Sequence, residues 1–357
     1  MEGSSARGRL PIIASLALGL VVSLASADVH GALAAASPRD ATAPTSKIRR
    51  TFVSACGTSL CLGGRTWYLF GASDLGGLDD PTGTAELAVA ARLDTLRIVD
   101  FLDEHGPVDS APYDPVRWSR VDAAIAAAGR SGLHVLLDLS TYRNLLWNAG
   151  LNPYTWDWGP FVAFVTQRAN MVSGLRYRDD PTIALVAFAG EIEPLNTPAN
   201  TRGVTTPQVT GFFERTLGQW RAQDGRHLLS TGGLLQLDWD SGIDWRAIFG
   251  LANVDVCSIH DHSAADRTIT TPQVAAYCAS IGKPWITEEF GWPQSVGDGA
   301  RADAFRAMYA LQRRWAAAGV AFWNLGPEIA GANGVTETYD VNRSTSLTWA
   351  AVTDSAP

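Results

Sequence analysis

From about Phe52 onward, short apolar runs alternate with longer stretches of helical periodicity. The runs are Trp67–Gly71, Thr95–Val99, His134–Leu139, Ile183–Ala189, His227–Thr231, Val254–Ile259, Trp285–Thr287 and Val320–Trp323. Their shortness and polar or glycine borders predict strands buried on both faces. Asp114-Pro115 opens a helix that continues through Val121–Ala128, with Asp as N-cap and Pro at the first helical position. Further helices are predicted over Phe161–Leu175, Pro207–Gln223, Pro272–Ile281 and Arg301–Ala318. Eight strands alternating with helices give a parallel barrel or a doubly wound sheet. The span Trp67 to Trp323 is 257 residues, near the ~250 of a (β/α)8 barrel. The fold expected is a single (β/α)8 TIM barrel over residues 51–357, with no internal sequence repeat.

The N-terminal segment has a different pattern. Arg7 and Arg9 precede an apolar run, Leu10 to Leu24, followed by Ala25-Ser26-Ala27. This is the order of a signal peptide over residues 1–27, with a second cleavage option near Ala34 to Ala36. The run is short for a bilayer span, which needs about 20 apolar residues. Residues 28–50, rich in Ala, Ser, Pro and Thr, read as a linker. The mature chain is therefore expected outside the cell, free or held at the envelope, with no transmembrane segment. In that setting four cysteines suggest disulfides, and four allow three pairings. Cys56 and Cys61 flank a short Gly-containing turn, which favours a local pair and leaves Cys257 and Cys278 to staple a strand to the next helix.

Composition narrows the function. Apolar residues make up 46% and charged residues 18%, which excludes a disordered chain. A net charge of -8 argues against nucleic acid as the main partner. Thirteen tryptophans offer faces for sugar rings, although barrels also bury Trp. No spacing resembles a zinc site and no glycine loop resembles a phosphate cradle. No cofactor or metal is expected, and a monomer is.

Chemistry in such barrels sits at the C-terminal ends of strands. The polar residues there are Ser73, Asp74, Arg97, Asp100, Asp138, Ser140, Glu191, Gly232, His260, His262, Glu288, Glu289 and Asn324. Glu289 lies 98 positions after Glu191. At roughly 31–33 residues per unit that is three units, on strands four and seven, which face each other across the mouth. Two convergent carboxyls suit glycoside cleavage: one protonates the leaving oxygen while the other attacks the anomeric carbon. Glu193 and Glu288 are local competitors. Strand alternation leaves only one of Glu288 and Glu289 facing the mouth.

Residues Gly174 to Glu191, with Tyr177-Arg-Asp-Asp-Pro-Thr-Ile183, resemble a segment of glycoside hydrolase family 5, the cellulase and β-mannanase family. Lys283-Pro-Trp-Ile-Thr-Glu-Glu-Phe-Gly-Trp292, Val254–His260, Leu96-Arg97 and Phe322-Trp323 match in order, so the resemblance covers most of residues 52–325. Tyr154, Trp158, the Arg168-Ala-Asn170 run and Gly242-Ile-Asp-Trp245 bring it closest to the endo-β-mannanases. The resemblance implies a retaining O-glycosyl hydrolase with Glu191 as acid/base and Glu289, which directly precedes Phe-Gly, as nucleophile. It implies that Arg97 keeps the nucleophile ionised, His260 contacts substrate or the carboxylates, and Trp323 is a sugar platform. Tyr142, Trp147, Trp156, Trp158, Trp239 and Trp292 are read as loop aromatics able to line subsites.

The departures bear on substrate. Family members have Asn before the acid/base, bound to the sugar 2-hydroxyl; here it is Gly190. His262 stands where Tyr is usual, and Ser140 where many members carry His. The substrate implied is a β-linked polysaccharide, mannan- or glucan-like. The alternatives are an unusual β-glycoside, such as a galactofuranosyl or arabinofuranosyl polymer, and a non-catalytic carbohydrate-binding relative. In the mechanism expected, burial and the neighbouring carboxylate raise the pKa of Glu191.

Overall fold

The computed structural model describes residues 51–192, 195–196, 200–234, 242–326 and 338–357. The segments read as signal peptide and linker, and the residues Glu193 and Trp239, lie outside the described residues.

The chain opens with a feature the apolar pattern did not predict, a three-stranded antiparallel sheet of β1 (Val53–Cys56), β2 (Ser59–Leu62) and β3 (Arg65–Trp67). Trp67 belongs to this sheet rather than to the first barrel strand. Eight parallel strands follow: β4 (Leu69–Asp74), β5 (Thr95–Ile98), β6 (His134–Asp138), β7 (Ile183–Ala187), β8 (Leu228–Ser230), β9 (Cys257–Asp261), β10 (Trp285–Phe290) and β11 (Gly319–Phe322). They pair in the order β8-β7-β6-β5-β4-β11-β10-β9. Parallel bridges Ser230–Val256 and Leu234–Ile259 join the two ends, so the sheet closes into a (β/α)8 barrel. Every residue of these strands is buried, which is why each reads as a continuous apolar run rather than an alternation. Val53 and Leu60 pack with Leu69, Leu228 and Ala318, residues at the strand starts. The small sheet therefore plugs the end of the barrel opposite the strand C-termini.

The helices are α1 (Pro81–Ala90), α2 (Pro115–Arg130), α3 (Ser140–Asn148), α4 (Gly159–Gln167), α5 (Thr206–Arg221), α6 (Trp245–Gly250), α7 (Thr271–Ser280), α8 (Asp298–Arg314) and α9 (Ser346–Ser355). Asp114 caps α2 as expected, accepting from the Val116 amide at 2.8 Å. Asp80 and Asp244 do the same for α1 and α6, and Thr205 with Gln208 forms a capping box on α5. The helix expected over Phe161–Leu175 ends at Gln167. Asn170 turns the chain by accepting from the Val172 and Ser173 amides at 2.8 and 2.9 Å, a local side-chain bond that competes with helix continuation. Helices α1, α3, α6 and α9 lay outside the sequence reading, and α9 packs on α8.

Both disulfides form as expected. Cys56–Cys61 closes the β1–β2 hairpin, and Cys257–Cys278 ties β9 to α7. Among the described residues no helix is long and apolar enough to cross a membrane.

Candidate active site

Arg97, buried in the middle of β5, organises the mouth of the barrel. Its Nη2 and Nε donate to Asp138 Oδ2 at 2.6 and 3.1 Å. Nη1 donates to Glu289 Oε2 at 2.5 Å and to Ser73 Oγ at 2.9 Å. Glu288 Oε1 lies 3.2 Å from Nε. One guanidinium thus faces three carboxyls, and their protonation divides accordingly. Burial pushes Asp138 and Glu289 up, but the opposing charges win. Arg97 and bonds from Ser140 hold Asp138 low, while His260, Arg97 and His262 hold Glu289 well below the carboxylate range. For Glu288 burial, aided by the charge on Asp138, prevails and raises its pKa. The fully buried Glu288 also accepts a hydrogen bond from Ser258 Oγ.

Strand alternation puts Glu288 and Glu289 on opposite sides of β10, yet both reach Arg97. The reason is a bulge: Thr287 pairs with Ile259 and Glu289 with His260, which leaves Glu288 as an extra residue. A bulge redirects side chains in this way. Glu288 points deeper into the barrel, and of the two only Glu289 lines the cleft.

Glu191 stands just beyond β7, the fourth barrel strand; β10 is the seventh. His260 Nδ1 lies 2.9 Å from Glu191 Oε1 and 3.8 Å from Glu289 Oε2, and His262 Nε2 lies 3.0 Å from Glu289 Oε1. One carboxylate oxygen from each Glu and one ring nitrogen from each His all fall within 4.8 Å of one another. The side chain of Glu191 is 43% exposed and that of Glu289 11%. The pKa of Glu191 moves opposite to expectation. Burial and Glu289 push it up, but the hydrogen bond and charge of His260 outweigh them and lower it.

Arg97, Asp100, Ser140, Gly190, Glu191, His260, Glu289 and Trp323 line a cavity of about 220 Å³, together with Val99, Arg143 and Asn144. A second cavity of the same size adjoins it on the Glu191 side, sharing Arg143, Asn144 and Glu191 and adding Trp147 and Tyr154. Arg143 and Asn144 were absent from the strand-end reading because they lie on α3. Arg143 donates to the backbone carbonyl of Glu191 and thereby braces the loop that carries it. The signal that would have found them is spacing: Ser140, Arg143 and Asn144 fall at i, i+3 and i+4, one face of a helix.

Two of the departures from the family pattern prove to be neighbours. Gly190 has φ of +54°, and a Cβ placed there would meet Ser140 Cβ at 2.9 Å and Oγ at 3.2 Å. Small residues at both positions accommodate each other. Gly233 is equally confined, since a Cβ there would strike the His260 ring.

The aromatic residues divide. Trp323 and Trp147 reach the cavities, whereas Trp158 is wholly buried between Tyr142 and Phe212. Trp292 packs on Phe290 and Phe305 under the Arg267 guanidinium. Tyr142 and Trp147 sit on α3 rather than in loops, and Trp156 donates to the Tyr142 hydroxyl at 3.2 Å.

No family model matches the chain. A mannan endo-1,4-beta-mannosidase 4 of Oryza sativa subsp. japonica is 27% identical, covering 81% of this chain and 76% of the relative. Among solved structures, an endo-1,4-beta-mannanase from Rhizomucor miehei superposes with a TM-score of 0.70 at 18% identity, over 86% of this chain and 99% of the other. An endo-beta-1,4-mannanase from Thermotoga petrophila gives 0.67 at 17% identity, over 82% and 77%. These likenesses agree with the family 5 resemblance carried by the sequence motifs, and the structural ones with the (β/α)8 barrel.

Proposed function

We propose that this protein is a retaining glycoside hydrolase of β-linked, mannan-like polysaccharide. The observation that carries the reading is the approach of Glu191 and Glu289, with carboxylate oxygens within 4.8 Å. Retaining enzymes hold their carboxyls about 5–5.5 Å apart, whereas inverting ones leave roughly 6.5–9.5 Å for a water. Glu289, ionised beside Arg97, attacks the anomeric carbon to form a covalent glycosyl-enzyme. Glu191 gives its proton to the departing oxygen, then takes one from the water that releases the sugar. Trp323 offers a face to the sugar at the cleavage point. The cavity that touches Glu191 but not Glu289 suits the leaving-group side. Mannan as substrate is supported by the names of the relatives above. Export, free or to the envelope, is supported by the N-terminal pattern and the two disulfides.

The paired small residues Gly190 and Ser140 favour one variant of this reading, in which a furanosyl polymer replaces mannan. A screen on mannan, glucans and galactofuranosyl or arabinofuranosyl polymers decides between them. On the active substrate, Glu289→Gln and Glu191→Gln should each lower kcat by on the order of 10⁴-fold, and proton NMR should show the β-anomer first. Full activity in Glu289→Gln, or an inverted first product, would sink the mechanism.

A further inference from the structure

The convergence of two imidazoles and two carboxylates has a consequence beyond glycoside cleavage. We propose that Glu191, His260, His262 and Glu289 form a site for a divalent transition-metal ion, Zn²⁺ above all, and that the ion inhibits by occupying both working carboxylates. The inhibitory half rests on the glycosidase reading; the binding half does not.

The donor set is the first argument. Nitrogen from two His and oxygen from two Glu is the ligand chemistry that Zn²⁺ accepts, and its four-coordinate sites are tetrahedral. The spacing is the second. Bonds of about 2.0–2.2 Å in a tetrahedron put ligands roughly 3.3–3.6 Å apart. The nearest nitrogen–oxygen pairs here stand at 2.9, 3.0 and 3.8 Å, with all four atoms within 4.8 Å. Rigidity is the third. His260 is buried on β9 against Gly233, and Glu289 is fixed by Arg97. Glu191 and His262 are part-exposed, so an ion has a way in. His262 is the residue that completes the set. The Tyr usual at this position would leave only one nitrogen donor in the cluster. Arg97, 2.5 Å from Glu289 Oε2, opposes the ion and limits the affinity.

The test is calorimetric titration of ZnCl₂ into the purified full-length chain without substrate, repeated with Co²⁺ to read the visible bands of a tetrahedral site. One ion per chain is expected, with binding weakened ~10-fold or more in both His262→Tyr and Glu191→Gln. Either variant failing to fold would show in its melting curve, and the other carries the test. No saturable binding, or binding unchanged in a folded variant, overturns the site. Binding that leaves hydrolysis of the active substrate undiminished overturns the inhibition. A protein that hydrolyses nothing but still takes one Zn²⁺ at these residues would count against the glycosidase reading and not against the metal site.

Discussion

At the scale of single residues, His260 and Gly190 decide most. His260 holds Glu191 low in the free protein, so the residue proposed as the proton donor begins without its proton at neutral pH. Entry of a sugar removes water from Glu191 and works against that bond. The sign of a variant follows. Without the imidazole Glu191 rises, so in His260→Gln the basic limb of the kcat/KM profile moves to higher pH. A basic limb that stays in place or moves down would contradict this. At Gly190 the crowding against Ser140 predicts that Gly190→Ala costs about 1–3 kcal/mol of stability, read by chemical denaturation. In the Gly190→Ala/Ser140→Gly double variant the part of that loss due to the contact should return, while the strain of an Ala at φ +54° should remain. A cost that Ser140→Gly leaves unchanged would show that the contact is not its source. Strand-end position and spacing brought Glu191 and Glu289 forward as a candidate pair but left Glu193 and Glu288 open, and the choice of Glu289 came from the family resemblance. The Gly190–Ser140 contact was not legible, since it joins residues 50 positions apart on different elements.

At the scale of elements, every barrel strand was readable, because burial on both faces writes a continuous apolar run. Four helices escaped. The short α3 follows β6 after a single residue, and its Ser-Thr-Tyr-Arg start reads as a loop. The bulge in β10 escaped as well, for alternation assumes a regular ladder, and only the partner strand reveals an extra residue. The motif residues Arg168, Asn170 and Tyr177 were legible as family pattern, but their work is scaffolding. All three bond Asp122: Arg168 and the Tyr177 hydroxyl its carboxylate, the Asn170 amide its carbonyl. The strand that carries His260 is itself tethered. Cys257 and Cys278 are 21 positions apart, and a loop of that length gives a stabilisation of about 3 kcal/mol. Replacing both by Ala should lower the unfolding free energy by about that amount in a denaturant titration, more than loss of the shorter Cys56–Cys61 loop. Equal or inverted costs would argue against loop length as the controlling variable.

At the scale of the whole molecule, the carboxyls fall into two groups that pull stability in opposite directions with pH. Asp74, Asp100 and Asp261 are raised by burial from 3.8 to about 7, and Asp94 to about 6. A carboxyl raised in the folded state binds its proton more tightly folded than unfolded. Between about pH 4 and 7 folding therefore takes up protons, and stability falls as pH rises through that window. Asp224, lowered to about 2 by its bond to His227, and the depressed Asp138 and Glu289 act the other way. Their contribution is complete above the unfolded value near 4 and is lost as pH falls below it. The two groups together place maximum stability near pH 4–5, on the acid side of neutrality. The melting temperature should drop by roughly 5 °C or more between pH 5 and pH 8. Asp100→Asn, which removes one of the raised groups, should flatten that decline. A melting temperature that climbs from pH 5 to pH 8 would mean that these buried acids are charged in the folded protein, with partners other than those described.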